Sequence, residues 1–550
     1  INAYNAINTS FQLGGFAFDQ NGESTVNFND PANSFIQEYL RTSDGKRGQN
    51  SFDWTSDYTK TFPQKGRELA FAFQLSGNNQ NNNTDYTQEN ILNSTDFEEE
   101  GRNDGKNREY IYQVDYTHPF SKKVKLETGA KSILRRINSD YSYNLISGED
   151  ITPFRSDIFK YNQDVMAGYI SLNLTISDNW GLVAGTRYEA TKIDGEFVND
   201  GGVFDNSYNN ILPSIILSRK LKGFSSLKLS YTQRIQRPSL FYINPYPEVS
   251  DRRNTTEGNP ELLPEITHQF DLSYNTFVKG TVVYASLYYK YTDAAIESIV
   301  NPEQLNDSTI ISTTSFSNIG TRENIGLNVF SSKTIKIWTI RANVNVSQYS
   351  GKGVLNGKEV EASAIVYNAF VSSSFNFKKG WKAEMWGFWN SPRQTLQGFN
   401  PSFSMYSFGI KKDLWGKRGS IGINVIDPFN ETKNFKTELE GDNFSQNSNY
   451  ALPFRSFGIN FSYKFGKLDF KAKSRKSSIK NDDQKQGDGG GGCEHFECHG
   501  NLPVGTGVSP AELDLIKFYL IRQYCLCFHR AELRASCSKF RRIIASVGDQ

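Results

Sequence analysis

The residues of this sequence whose types could do chemistry fall into two groups, a short cysteine and histidine cluster and a set of isolated charges in otherwise alternating segments. Cys493, His495, Cys498 and His499 are zinc-ligand types crowded into seven residues. Zinc sites of this composition divide their ligands into two pairs across a folded loop; this cluster does not, so no metal and no cofactor is expected. Arg187 and Glu189 stand two apart in Gly-Thr-Arg-Tyr-Glu, Arg234 follows Thr232 and Gln233, and Arg341 lies between Ile340 and Ala342. On a strand, such side chains share the polar face with their neighbours at even spacing. There a guanidinium or carboxylate either pairs across the sheet in a solvated wall or holds a polar ligand. Asn259, between Gly258 and Pro260, adds an amide on a loop. Before residue 493 the only histidines are His118 and His268. Neither falls in a Ser, His and acid grouping, and no nucleotide loop or metal-helix motif appears, so no enzyme is expected.

The elements that carry these charges are strands. The chain has 550 residues, 22% charged and 37% hydrophobic, with a formal charge of +2. A mean hydropathy of -0.56 and the lack of a long apolar run exclude a helical membrane protein. Forty Phe, 28 Tyr and 7 Trp exclude disorder, and the balanced charge leaves no basic footprint for nucleic acid. From Ser456 to Phe465 one face reads Phe457, Ile459, Phe461, Tyr463 and Phe465 against Ser456, Gly458, Asn460, Ser462 and Lys464. Trp338 to Ser347 repeats the pattern, with Arg341 on the polar side. This alternation predicts strands of about 9 to 15 residues, long enough to cross a bilayer at a tilt. Short turns are expected near Pro63 to Gly66, Pro119 to Lys123, Ser177 to Asn179, Leu221 to Ser225, Phe277 to Gly280, Ser332 to Ile337, Lys378 to Trp381 and Leu414 to Gly419. Between them lie longer polar loops: Gly77 to Gly105, Asn138 to Lys160, Arg237 to Pro264 and Pro428 to Leu452. Loops sorted short on one side and long on the other predict an all-β fold, an antiparallel transmembrane β-barrel.

The stretch from Arg234 to Tyr274, with Arg237-Pro238, Asn244-Pro245, Gly258-Asn259-Pro260-Glu261-Leu262 and Pro264-Glu265, resembles the barrel domain of TonB-dependent receptors. More specifically, it resembles the outer-membrane β-barrel family common in Bacteroidetes. Supporting matches are Gly185 to Glu189, Asn318-Ile319-Gly320 before Gly326, Asp427-Pro428-Phe429 and the closing Tyr463-Lys464-Phe465-Gly466, so the resemblance spans roughly Ser51 to Gly466. It implies a bacterial outer-membrane location, outer-membrane lipid and the barrel-assembly machinery as partners, and uptake of an unidentified nutrient. It also implies coupling to an energy-transducing TonB-type complex where a plug is present, and about 18 to 22 strands in a complete parent. Against that pattern we count about 17 strands from Ser51 onward, with Phe35 to Arg41 as a further strand. No plug is seen, so the chain reads as a receptor lacking its plug and first strands.

The expected organisation is therefore an N-terminal remnant at 1–50, a barrel at 51–466, a polar solvated linker at 467–492 and a cysteine-bearing tail at 493–550. A capping pattern at Ser509 to Glu512 makes that tail a candidate helix, foreign to the barrel. Two functions are carried forward: a nutrient receptor and transporter, and a structural or ligand-binding barrel without transport. The alternation makes a prediction within one strand. Leu229→Arg, which places a charge in lipid, should cost about 2 to 4 kcal/mol near the midplane, while Ser230→Arg, which faces the lumen, should be far milder. Denaturant midpoints of the two variants in micelles measure the difference, and equal costs would mean that the strand has no lipid face.

Overall fold

Alternating apolar and polar residues form a continuous antiparallel ladder in the computed structural model of this protein. The structure describes residues 4–463 except 31–34, 93–95, 148–149, 246–247, 252–253, 307–308, 356 and 442–443, and beyond them only 479 and 483–485. The chain begins as a meander of β1 (Asn5–Asp30), β2 (Phe35–Thr61), β3 (Glu68–Leu92), β4 (Phe97–Pro119) and β5 (Val124–Ser147). It continues through β6 (Asp150–Thr175), β7 (Trp180–Phe197), β8 (Val203–Lys220) and β9 (Ser226–Pro238). A loop carrying α1 (Leu240–Ile243), β10 (Glu248–Asp251) and β11 (Asn254–Thr256) follows. The meander resumes with β12 (Glu265–Val278), β13 (Thr281–Asn306), β14 (Thr309–Ile335), β15 (Trp338–Leu355), β16 (Lys358–Asn376) and β17 (Trp381–Asn390). Next come β18 (Arg393–Thr395), β19 (Gly398–Asn400), β20 (Phe403–Leu414) and β21 (Gly419–Ile426). The last elements are β22 (Thr432–Gly441), β23 (Phe444–Pro453), β24 (Ser456–Tyr463) and the two-residue β25 (Gln484–Lys485).

Of the 21 strands of the main sheet among the described residues, β10, β11 and β25 are short additions and the other eighteen form the wall. Each wall strand pairs antiparallel with the next, from β1 to β24, and among the described residues no ladder joins these two end strands. β18, β19, β22 and β23 form a separate four-stranded sheet. The outward set of residues is exposed, as a lipid-facing wall requires: Leu229 is 53% accessible and Ile459 77%. Aromatic rows run across this face. Tyr231, Phe270 and Tyr289 pair strand to strand at ring distances of 4.8 and 6.3 Å, supporting the sheet as cross-strand aromatic pairs do.

The short turns lie where the sequence places them, all eight at one end of the wall. Lys279-Gly280 shows why they are tight. Both residues have positive φ, 49° and 75°, as a two-residue turn of the primed type requires, and glycine takes the second position without steric cost. At the other end the strands are much longer than the alternation indicates: β1 to β6, β13 and β14 have 23 to 27 residues. The expected loop at Gly77 to Gly105 is mostly a hairpin extension, paired from Gly77↔Arg108 to Gln88↔Phe97. Residues 138–147 and 150–160 likewise belong to β5 and β6. Beyond the hydrocarbon the outward face meets water and need not be apolar, so the alternation stops while the backbone ladder continues; pattern alone cannot report such strands. β2 also runs unbroken through position 51, and Phe35 to Arg41 is its outer part.

The remaining two outer loops fold inward over the lumen. Ile243 of α1 packs with Ile137, Tyr141, Tyr143, Phe159, Tyr161 and Ile193 on the lumen face of β5 to β7. Tyr242 packs with Leu262, Ile296 and Phe316. Gly258 makes this possible, because a Cβ there would lie 2.5 Å from the Asn244 backbone. In the second loop, Phe435 and Phe454 close on Phe388, Phe403, Met405 and Ile426. With the long hairpins outside, Glu89→Cys should react with an impermeant maleimide on intact cells and Lys379→Cys should not. Labelling of Lys379 alone would invert the topology.

Candidate functional site

Charges that alternate into the lumen are brought together by the register of neighbouring strands. In β5 the odd residues face inward, and Lys131, Ile133, Arg135, Ile137, Ser139, Tyr141 and Tyr143 are all buried. Antiparallel register places Glu109 of β4 and Gln163 of β6 on either side of Arg135. Its Nε donates to Glu109 Oε2 at 2.6 Å and its Nη1 to Gln163 Oε1 at 2.6 Å. The side chain is only 2% accessible. Gln163 in turn donates from Nε2 to the Tyr161 hydroxyl at 2.9 Å.

A second arginine closes the cluster from β9. Its ladder with β8 ends at Thr232, and its ladder with β12 ends at Gln236. Beyond those points the strand is no longer held in the wall, and Arg237 turns into the interior instead of alternating outward. Arg237, with no accessible side-chain surface, donates from Nη2 to Glu189 Oε2 at 2.5 Å and to Thr191 Oγ1 at 2.9 Å. Glu189 also pairs with Arg187 through its other oxygen. Asp483 stands between the two arginines. Its carboxylate accepts from Arg135 Nη2 at 2.6 Å and from Arg237 Nη1 at 2.8 Å. Burial alone would raise this carboxyl, but the field of Arg135, Arg237 and Lys131 outweighs it and holds the group down to about 2.

A neighbouring cluster is centred on Glu265 at the start of β12. Its Oε1 accepts from the Ile296 N–H at 2.8 Å and from Lys485 Nζ at 2.7 Å, while Arg322 Nη2 lies 3.2 Å from Oε2. The apolar packing around α1 lies on the outer side of both clusters, since Ile137 to Tyr143 follow Arg135 toward the outer end of β5. Arg135, Arg237, Glu189 and Glu265 are thereby shielded from water, which strengthens their pairs and makes a lost partner costly.

Of the residues singled out in the sequence, Arg187 and Glu189 belong to this network. Arg234 is exposed on β9 with the lumen parity of Ser230 and Thr232, and Arg341 is half-buried on β15 with the parity of the buried Ser347 and Tyr349. Neither lies in the Arg135 and Arg237 cluster. Asn259 ties its loop to β14: Nδ2 donates to the Phe316 carbonyl at 3.0 Å, and Oδ1 accepts the Glu261 N–H within the loop at 2.9 Å. Cys493, His495, Cys498 and His499 lie outside the described residues. His118 and His268 each meet a tyrosine hydroxyl at 3.0 Å, from Tyr116 and Tyr231, and His268 shares the lipid parity of Phe270. Sequence reasoning passed over Arg135, Gln163, Arg237, Glu265, Asp483 and Lys485. One signal was present, the Arg237-Pro238 pair: a proline cannot donate to a ladder, which favours a strand edge or end there.

This wall of long tilted strands, with a lipid-facing apolar band and a lumen lined by interlocked charges, defines an outer-membrane β-barrel. The chain belongs to the outer membrane protein beta-barrel family, whose profile matches residues 60–463, and its place is the bacterial outer membrane. Among solved structures it is similar to the copper transporter OprC, with a TM-score of 0.51 at 11% identity, covering 82% of this chain and 80% of that one. It is also similar to the ferric yersiniabactin uptake receptor FyuA from Yersinia pestis, with 0.49 at 9% identity over 84% and 79% of the two chains. At such identities the likeness is one of fold. No curated protein matches.

The burial of the network sets an energetic expectation. Arg237→Ala should destabilise the barrel by about 3 kcal/mol, at the low end for breaking a buried pair, because Glu189 keeps Arg187 and Asp483 keeps Arg135. Lys352→Ala, which removes the exposed partner of Glu361, should leave the denaturant midpoint unchanged. Equal midpoints for both variants would mean that water reaches the network.

Proposed function

We propose that this chain is the barrel of an outer-membrane receptor that takes up a nutrient too large or too scarce for general pores. The observation that carries this reading is the lumen itself. Inward-folded loops pack against the wall of its outer half, where arginine and carboxylate side chains are fixed by neighbours, with Arg135, Arg237, Glu189 and Glu265 all buried. A passive pore needs a wet, unobstructed interior, whereas a receptor needs a wall that holds a gating element and mouth residues that hold a ligand. Arg187, Arg234 and Arg341, which retain accessible surface, are the ligand-facing candidates on this reading. Asn259 contributes by shaping the loop. Transport by this route draws on a plug and a TonB-type energy-transducing complex, and insertion draws on the barrel-assembly machinery. No hydrolytic step is assigned to the site.

The test is uptake in the source bacterium with the gene present, deleted, or present in a strain whose TonB-type complex is inactive. Labelled sugars, peptides and metal chelates serve as probes. One probe class should accumulate against its gradient only when both the gene and the complex are intact. Gene-dependent surface binding without accumulation would replace this reading with a ligand-binding barrel that does not transport.

A further inference from the structure

Asp483, Gln484 and Lys485, within the stretch expected to be a solvated linker, lie against the lumen wall. Their contacts go beyond a chance ion pair. The backbone of β25 runs parallel to the end of β9, with Gln484 opposite Arg237 and Lys485 opposite Pro238, and the Arg237 N–H donates to the Asp483 carbonyl at 2.6 Å. The Asp483 carboxylate is forked between Arg135 and Arg237. Two residues on, Lys485 Nζ donates to Glu265 Oε1 at 2.7 Å and to the Ile296 carbonyl at 2.8 Å, and sits 5.2 Å from the Tyr242 ring centre. Four residues before Asp483, Ile479 packs on Ile111, Ile133 and Val165.

Each receiving side chain is itself buried: Arg135 is 2% accessible, and Arg237 and Glu265 have no accessible surface. Without a carboxylate at the position of Asp483, two buried arginine guanidinium groups would face each other with Glu109 and Glu189 as their remaining carboxylates. Without a cation at the position of Lys485, Glu265 would rely on Arg322 alone. The wall is therefore complementary to a strand with an acid and, two residues later, a base. In an extended segment these two side chains share one face about 6.6 to 6.8 Å apart. Strand addition supplies the backbone bonds and the two charges supply selectivity. Length permits the connection: β24 ends at Tyr463 at the short-turn end, and nineteen residues separate it from Asp483, a reach of up to about 65 Å.

We propose that the lumen wall at Arg135, Arg237 and Glu265 is a peptide-binding site for an extended acid-x-base segment, and that this chain's own Asp483–Lys485 occupies it as an internal strap. The strap ties the β5 and β9 side of the wall to β12 and β13 and obstructs the lumen from within. The site is independent of the transport reading, since it requires only the barrel.

The experiment uses the full chain refolded in detergent, with folding verified by heat-modifiable gel migration. The probe is a fluorescein-labelled peptide with the sequence of residues 479–486, read by anisotropy. The double variant Asp483→Ala, Lys485→Ala vacates the site and should bind the peptide at least ten-fold more tightly than the unmodified chain, which holds its own strap. A peptide carrying Asn and Gln at the positions of Asp483 and Lys485 should bind the double variant at least ten-fold more weakly than the native peptide. Equal affinity for both chains, absence of binding to the double variant, or indifference to neutralising the peptide would each overturn the proposal. A second measurement does not depend on the double variant. With a protease site inserted after Gly466, the cleaved C-terminal piece should co-elute with the barrel and be displaced by excess peptide. Immediate separation on cleavage would overturn the proposal as well.

Discussion

Every feature of this protein depends on one constraint: in hydrocarbon no water is present to satisfy a backbone N–H or C=O. The response is a single antiparallel ladder in which each wall strand is hydrogen-bonded to its sequence neighbours. Two consequences follow. One side of each strand becomes the lipid face and must be apolar, as Leu229, Phe270 and Ile459 are. The other side becomes the lumen face and is released from that demand, so it can carry charge.

The lumen face uses this freedom unevenly. Toward the short-turn end it carries small and polar residues such as Lys228, Ser230 and Ser273. Toward the outer end charge is concentrated and buried, with Arg135, Glu189, Arg237 and Glu265 interlocked beneath the apolar packing of α1. Buried ion pairs contribute little net stability, because desolvation offsets their attraction, but they tolerate few alternative partners. The cluster therefore acts through specificity: it determines which chain segment can enter the lumen, and in which register.

The inward loops and the strap share a logic with β9. A strand that stays in the wall obeys alternation; a strand that leaves it does not. β9 leaves after Thr232 on one edge and after Gln236 on the other, and this departure carries Arg237 into the interior and exposes a backbone edge to β25. β9 ends at Pro238, and α1 then turns the chain over the mouth. The departure of β9 from the wall thus gives the lumen both its second arginine and its docking edge.

What the sequence determined by itself was whatever depends on period two and on turn chemistry. The lipid face, the eight tight turns such as Lys279-Gly280, the barrel class and the inward parity of Arg187 and Glu189 were all legible. The reason is that a bilayer imposes its polarity on every second residue. What only the tertiary structure decided lies where that imposition ends. Gly77 to Gly105 reads as loop yet is largely paired strand, because water on the outward face erases the alternation and leaves the ladder intact. The Arg135 and Arg237 cluster joins residues about a hundred positions apart because β9 leaves the wall before Arg237, and Asp483 reaches it from 246 residues beyond Arg237. No local pattern encodes such distances; they follow from strands curling around a shared interior, where a charge finds its partner in space and not along the chain.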